Sequence, residues 1–375
     1  MRILQVVPGI ADESAGPSYS VLRMTRALQE VGANVQLHFL APIPASSQGL
    51  DVHAYPKKHF PLSALGRSPA MLKNLCSACQ DAEICHDNSL WMLPNIYPGK
   101  AVIGTRCKLV ISPRGALATW ALKRNRWKKW LAGTFLGQYA TLNRADMFHA
   151  TSQKEYEEIR EAGYRQPVAI VPIGIDIHEV LRIKSQRRKL LFLGRLHPVK
   201  AIDRLLNAWA QIADEFPDWD FQIVGPDCGL GKVLHSMTIN QNIPRVEFLK
   251  EQKGEAKFQF YAAADLYVLP SFTENFGITV AEALSSGTPV MVSKTTPWNG
   301  VLSHNCGWVT DNTMEALTET LRTALARSRE DLDKLGANGK EWMLKDFSWN
   351  EIARKMIRTY EWLINGGNCP DWVKL

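Results

Sequence analysis

The chain has 375 residues, 46% apolar and 22% charged, with a formal net charge of +7, which is the composition of an ordinary soluble protein with room for two globular domains. No stretch approaches the uninterrupted apolar length that spanning a bilayer requires. The 7 cysteines, odd in number and scattered, fit a reducing compartment better than a disulfide framework.

Residues 1–8 read as a first strand rather than a secretory signal, because neither a long apolar run nor a small-residue cleavage site follows. A cytoplasmic protein is expected, extending to the inner face of the plasma membrane if the basic segment described below touches lipid. The loop 9–18 leads into a helix at 19–31, and Gly16 beside that helix start permits close approach of a ligand. The loop is not the Gly-x-Gly-x-x-Gly of dinucleotide binders. The second strand, 34–40, ends Phe39-Leu40-Ala41 without the acid that would hold a ribose, which argues against a dehydrogenase.

Cys76, Cys79, Cys85 and His86 superficially offer metal ligands. No second Cys-x-x-Cys completes a tetrahedral site, so buried core thiols are the simpler reading than zinc. Further strands are expected at 101–103, 108–112 and 148–151. Between Trp120 and Leu131 the chain packs three tryptophans among cations. On a helix Trp120, Trp127 and Leu131 share one stripe while Lys123, Arg126 and Lys129 point elsewhere. Two readings stand side by side: contact with an anionic membrane surface, and a core-facing stripe with a solvated basic back. No nucleic-acid motif accompanies these residues, and no nucleic-acid partner is expected.

Residues 172–176 and the polar run 184–189 look like a hinge, after which the strand and helix alternation restarts with strands at 190–194, 221–225, 246–248, 266–269 and 290–292. Such alternation, made twice, predicts two parallel sheets covered on both faces, an α/β class with two doubly wound Rossmann-like domains. From 315 to 365 the pattern is helical, with Trp349, Ile352, Ala353, Met356, Ile357, Tyr360 and Leu363 on one apolar face.

The chemistry concentrates in the second half. Gly194-Arg195-Leu196-His197-Pro198-Val199-Lys200 follows a buried strand, and Arg195 and Lys200 can neutralise a departing diphosphate. Glu274 sits in the loop at the carboxyl end of strand 266–269, and Glu282 lies one turn inside the following helix. In a parallel sheet both would flank a phosphate held at a helix start. A carboxylate there is useful for sugar or ribose hydroxyls, Glu274 at the mouth and Glu282 deeper. The bland alternative has Glu274 favouring the helix dipole and Glu282 solvated.

The pattern Pro-Ser-x-x-Glu-x-Phe-Gly, with Glu282 opening Glu-Ala-Leu-x-x-Gly-x-Pro-Val, and the earlier Gly-Arg-x-x-x-x-Lys resemble the retaining glycosyltransferases of family four, of the two-domain GT-B fold, in a branch that builds bacterial polysaccharide and lipopolysaccharide. The resemblance implies a cleft between an acceptor-binding domain, 1–175, and a nucleotide-sugar domain, 176–345, with a closing helix, 346–375, that returns to the first. It implies that Glu274 contacts the donor sugar and Glu282 the ribose. The amides around Asn275, Phe276 and Gly277 would hold the sugar and distal phosphate, and Phe248 and Leu249 the base, with Gly16 and Gly194 lining the donor site. His86 and Arg114 would open toward the acceptor, although read alone His86 is equally a histidine satisfied within the core, and Arg114, standing where many relatives carry histidine, equally a residue that orients its loop. Trp298 either borders the sugar or packs.

The implied activity is metal-independent transfer of a hexose from a UDP- or GDP-sugar to a hydroxyl of a glycan or polyprenyl-diphosphate-linked acceptor. Rival classes are a nucleotide-sugar epimerase of the same fold, a glycan phosphorylase, for which no cofactor-bearing lysine segment is found, and a noncatalytic membrane-surface binder.

Overall fold

A computed structural model describes residues 1–11, 16–58, 63–123, 127, 130, 133–252 and 254–375. The chain forms two compact α/β units, one built from Met1–Gly174 with Trp349–Leu375 and the other from Ile175–Ser348.

In the first unit β1 (Arg2–Val6), β2 (Asn34–Leu40), β3 (Asp51–Tyr55), β4 (Ile84–Asn88), β5 (Lys108–Ser112), β6 (Met147–Ala150) and β7 (Val168–Ile170) pair in parallel in the order β3-β2-β1-β4-β5-β6-β7. Side chains alternate across the sheet. Leu4 and Val6 therefore enter one core with Leu109, Ile111 and Phe148, while Ile3 enters another with Val110 and Met147. Both faces of the sheet are apolar because both are covered.

The second unit repeats the plan with β8 (Arg188–Leu193), β9 (Trp219–Val224), β10 (Val246–Leu249), β11 (Leu266–Leu269), β12 (Val290–Ser293) and β13 (Gly307–Thr310). All pair in parallel, in the order β10-β9-β8-β11-β12-β13. The strand order reverses between β8 and β11, and a doubly wound sheet binds ligands outside the carboxyl ends of its strands at such a switch point.

The closing helix Trp349–Asn365 belongs to the first unit, where Trp349, Ile352, Ala353, Met356 and Tyr360 share a core with Ile3, Met24 and Leu28. β14 (Val373–Lys374) then adds to the free edge of β7, antiparallel.

One expected strand is corrected. Ala101 ends the helix Tyr97–Ala101 and residues 102–106 form a turn, since three apolar residues in a row carry no period that separates helix from strand. Among the described residues no helix is long and apolar enough to cross a membrane.

Candidate functional site

β8 and β9 are each followed directly by a glycine, Gly194 and Gly225. Gly194 donates its amide to the Val224 carbonyl at 2.9 Å, and a Cβ on Gly225 would lie 1.9 Å from the Gly194 carbonyl oxygen. Gly225 also has φ +150°, so only glycine closes this corner. Beyond Gly194 the exposed Arg195 opens the loop, and the turn Pro198–Lys200 is capped by His197, whose Nδ1 accepts from the Val199 amide at 3.2 Å.

The loop after β11 comes against this turn, the Phe272 amide donating to the Val199 carbonyl at 2.9 Å. Glu274 Oε1 accepts from Lys200 Nζ at 2.5 Å and from Ser271 Oγ at 2.6 Å. With side-chain exposures of 13% and 11%, Lys200 and Glu274 form a pair at the edge of solvent rather than on the open surface. Gly277 carries φ +76° and precedes helix Ile278–Ser285. A Cβ there would meet Trp298 Nε1 at 3.2 Å. Trp298, 2% exposed, donates that N–H to the Phe276 carbonyl at 2.5 Å and packs on Phe347 with ring centroids 5.5 Å apart. Trp298 thus packs, and in packing it fixes the loop that starts the helix. Asn275 is half-buried and Phe276 buried in that loop.

Glu282 is 4% exposed, so it is not a solvated helix residue. Its Oε1 accepts from Lys257 Nζ at 2.5 Å and its Oε2 from the Tyr261 hydroxyl at 3.1 Å. Burial holds its carboxyl above the usual range, a rise that the Lys257 ammonium and the Tyr261 hydrogen bond oppose without cancelling. Burial raises the Tyr261 phenol well above its ordinary value, which keeps it a donor. Lys257 and Tyr261 stand four positions apart on helix Glu255–Ala263, a spacing legible in the sequence, yet nothing local announced a partner on another helix.

Phe248 and Leu249 end β10 and line a cavity of about 690 Å³ with Leu196, Asp227, Lys232 and His235. His235 lies against Phe248 with centroids 4.0 Å apart. Asp227 Oδ1 accepts from the amides of Gly229, Leu230 and Gly231 at 2.9, 3.1 and 2.8 Å. These bonds hold its carboxyl below the ordinary range. The start of helix Gly231–Asn240 is therefore filled by the chain's own carboxylate, a capping role that sequence reading missed.

In the first unit Gly16 is the first residue of helix Gly16–Glu30, and residues 12–15 lie outside the described residues. Arg114 follows β5 at φ 55° and donates through Nη2 to Asn88 Oδ1 at 2.9 Å. The adjacent Gly115 amide donates to Glu155 Oε1 at 2.7 Å. His86 requires a correction: it is 1% exposed, with Nδ1 2.6 Å from the Tyr360 hydroxyl and Nε2 3.0 Å from Ser112 Oγ. A histidine in the middle of a central strand with both nitrogens bound has nothing left for an acceptor. Burial lowers its pKa well below the ordinary value and keeps it neutral.

Trp127 and Trp130 are 63% and 54% exposed, so at these two positions the segment does not face the core. The side chains of Trp120, Lys123, Arg126, Lys129 and Leu131 lie outside the described residues. Among the described residues no three His, Cys, Asp or Glu side chains are grouped as a metal ion would need.

Residues 175–342 match the family model described as glycosyl transferases group 1, and residues 15–174 match the glycosyl transferase 4-like domain. A D-inositol 3-phosphate glycosyltransferase of Corynebacterium diphtheriae is 32% identical over 128 residues, 32% of this chain and 28% of that protein. A GDP-mannose-dependent alpha-(1-6)-phosphatidylinositol dimannoside mannosyltransferase of Mycobacterium tuberculosis is 26% identical over 262 residues, 64% of this chain and 67% of that protein. The first of these matches thus spans under a third of its relative's length. In fold, Anabaena HepE solved with UDP and glucose superposes with a TM-score of 0.73 at 18% identity, covering 96% of this chain and 99% of that one.

Proposed function

Given a chain built from a glycosyl transferase 4-like domain followed by a glycosyl transferases group 1 domain, we propose that it is a retaining glycosyltransferase that moves a hexose from a nucleoside diphosphate sugar to a hydroxyl of a lipid-linked or growing bacterial surface glycan. The observation that carries the reading is the pair of buried or half-buried carboxylates, Glu274 and Glu282, each paired with a lysine, at the switch point of the second unit. Relatives that use GDP-mannose and a neighbour solved with UDP support a UDP- or GDP-sugar as donor.

In this reading Phe248 and Leu249 border the base and Glu282 accepts from the ribose. Glu274 accepts from the transferred sugar. Arg195, Lys200 and the amides at Gly277 and beyond receive the diphosphate, whose developing charge they stabilise as the glycosidic bond breaks. Pairing with Glu274 already orients Lys200 Nζ at the turn that follows β8. The bond's electrons leave with the phosphate oxygen. That oxygen takes the acceptor's proton on the face it vacates, so no protein carboxylate need be the nucleophile. Side-chain cations take the place of a divalent metal. Arg114 faces the acceptor, and the exposed Trp127 and Trp130, in a stretch rich in lysine and arginine, rest on an anionic membrane surface at the cytoplasmic face.

The test is nucleoside diphosphate release from a panel of UDP- and GDP-sugars, without added magnesium, with and without acceptor. Arg195→Ala, Lys200→Ala and Glu274→Ala should each lower turnover by at least about a hundredfold while the protein stays folded. Unchanged turnover in all three would sink the reading. Donor conversion without any acceptor would favour an epimerase, and a strict divalent-ion requirement would remove the metal-free mechanism.

A further inference from the structure

A carboxylate buried as deeply as Glu282 takes up a proton unless a cation compensates it, and among the described residues Lys257 is the cation paired with it. The groups facing it are Lys257 and Tyr261 from helix Glu255–Ala263, Asp176 from the segment before β8, and Tyr267 from β11. Helix Arg329–Asp346 packs on the helix that carries Glu282, Ile278–Ser285, through glycines, Gly339 meeting Leu284, two positions from Glu282 and so on a different face of that helix. Asp176 repels the carboxylate, the phenols can only donate to it, and Lys257 alone of these carries positive charge. The lysine is itself held in place: its ammonium lies 5.2 Å from the centroid of the Phe258 ring, which in turn packs on His178 at 3.8 Å.

We propose that Lys257 is a positioning residue for donor binding, its ammonium keeping the buried Glu282 carboxylate an anion so that the carboxylate accepts charge-assisted hydrogen bonds from a ribose diol. Lys257 and Tyr261 each occupy one lone pair on a different oxygen of Glu282, and each oxygen retains another. The ribose then binds beside the lysine without displacing it. The inference rests on the reading that Glu282 holds the ribose, and it adds that donor affinity is independent of pH near neutrality only because Lys257 is present.

UDP-glucose and GDP-mannose, disubstituted diphosphates whose own charge does not change near neutrality, are titrated by calorimetry into the 375-residue chain, and the donor that binds more tightly is carried forward. Wild type should bind equally well from about pH 8 to about pH 6, whereas Lys257→Met should weaken roughly tenfold over that range as Glu282 protonates. Lys257→Arg should restore the flat profile, and Lys257→Gln, which keeps a donor without charge, should behave like the methionine variant should that one fail to fold. In Lys257→Met with Glu282→Gln the slope should vanish, which separates Glu282 from the nearby His178. A flat profile in both Lys257→Met and Lys257→Gln, even with uniformly weaker binding, overturns the inference while leaving the reading of Glu282 intact. Unchanged donor binding in Glu282→Ala, or a wild type that binds neither sugar nucleotide at millimolar concentration, overturns the reading and the inference together.

Discussion

Val171 presents a carbonyl to His149 Nε2 at 2.8 Å, and a carbonyl can only accept, so His149 carries its proton on Nε2 and Nδ1 is an acceptor. Ser112 Oγ, 2.7 Å away, then donates to that Nδ1 and in turn accepts from His86 Nε2–H at 3.0 Å. His86 Nδ1 is left to accept from the Tyr360 hydroxyl at 2.6 Å. One end group fixes the direction of every bond in the series, and both imidazoles must be neutral for it to close. Burial holds the His149 pKa down to about 3, far below the unfolded value of 6.5. Its contribution to stability is therefore present above pH 6.5 and is lost as the pH falls toward 3, at about 1.4 kcal/mol per pH unit. Below pH 6.5 the wild type should lose stability more steeply than His149→Asn by roughly that amount, read from urea midpoints at several pH values. Parallel slopes would show that the imidazole is already charged in the folded state. The sequence displays His86 between a cysteine and an aspartate, which suggests chemistry; only the strand order, which places β4 at the centre of the sheet, shows that it is structural.

At the scale of the element, the loop and helix after β11 depend on a residue from beyond β12. The Phe276 carbonyl accepts from Trp298 Nε1–H, which pins the residue just before Gly277 and the start of helix Ile278–Ser285. Trp298→Phe keeps an aromatic ring beside Phe347 and Trp342 but deletes the donor together with part of the buried ring. It should destabilise the protein by roughly 1–2 kcal/mol and weaken donor binding several-fold, checked by urea unfolding and nucleotide titration. If neither moves, the indole nitrogen has no part in shaping the loop. Legibility of the elements followed their apolar character. β2, β5 and β11 were readable at their observed bounds, whereas β4, Ile-Cys-His-Asp-Asn, is fully buried yet mostly polar, with His86 and Asn88 bonded to Tyr360 and Gln5, partners distant in sequence. β7 has three residues, too few to show a period, and β3, at the sheet edge, is only partly buried and carries a weak apolar signal. Glu274, Lys200 and Glu282 were legible as residue types at set positions after strands. The two lysine pairs they form were not, because Lys257 and Lys200 reach across 25 and 74 residues of sequence.

At the scale of the molecule the first unit is discontinuous and the second is not. The closing helix inserts Trp349, Ile352, Ala353, Met356 and Tyr360 into the core behind β1, and β14 covers the edge of β7. Burying each of those larger side chains contributes roughly 1.5–3 kcal/mol, a sum that rivals the ~5–15 kcal/mol net stability of a typical domain. A chain ending at Ser348 would also leave His86 Nδ1 buried without the Tyr360 donor. The second unit, Ile175–Ser348, keeps its whole six-stranded sheet and its core in such a chain. The truncated protein should therefore be cut rapidly by protease within residues 1–174 while 175–348 resists and still binds the donor nucleotide, with fragments assigned by mass spectrometry. Equal protection of residues 1–174 in the truncated and full-length chains would mean that the closing helix decorates the first unit rather than completing it.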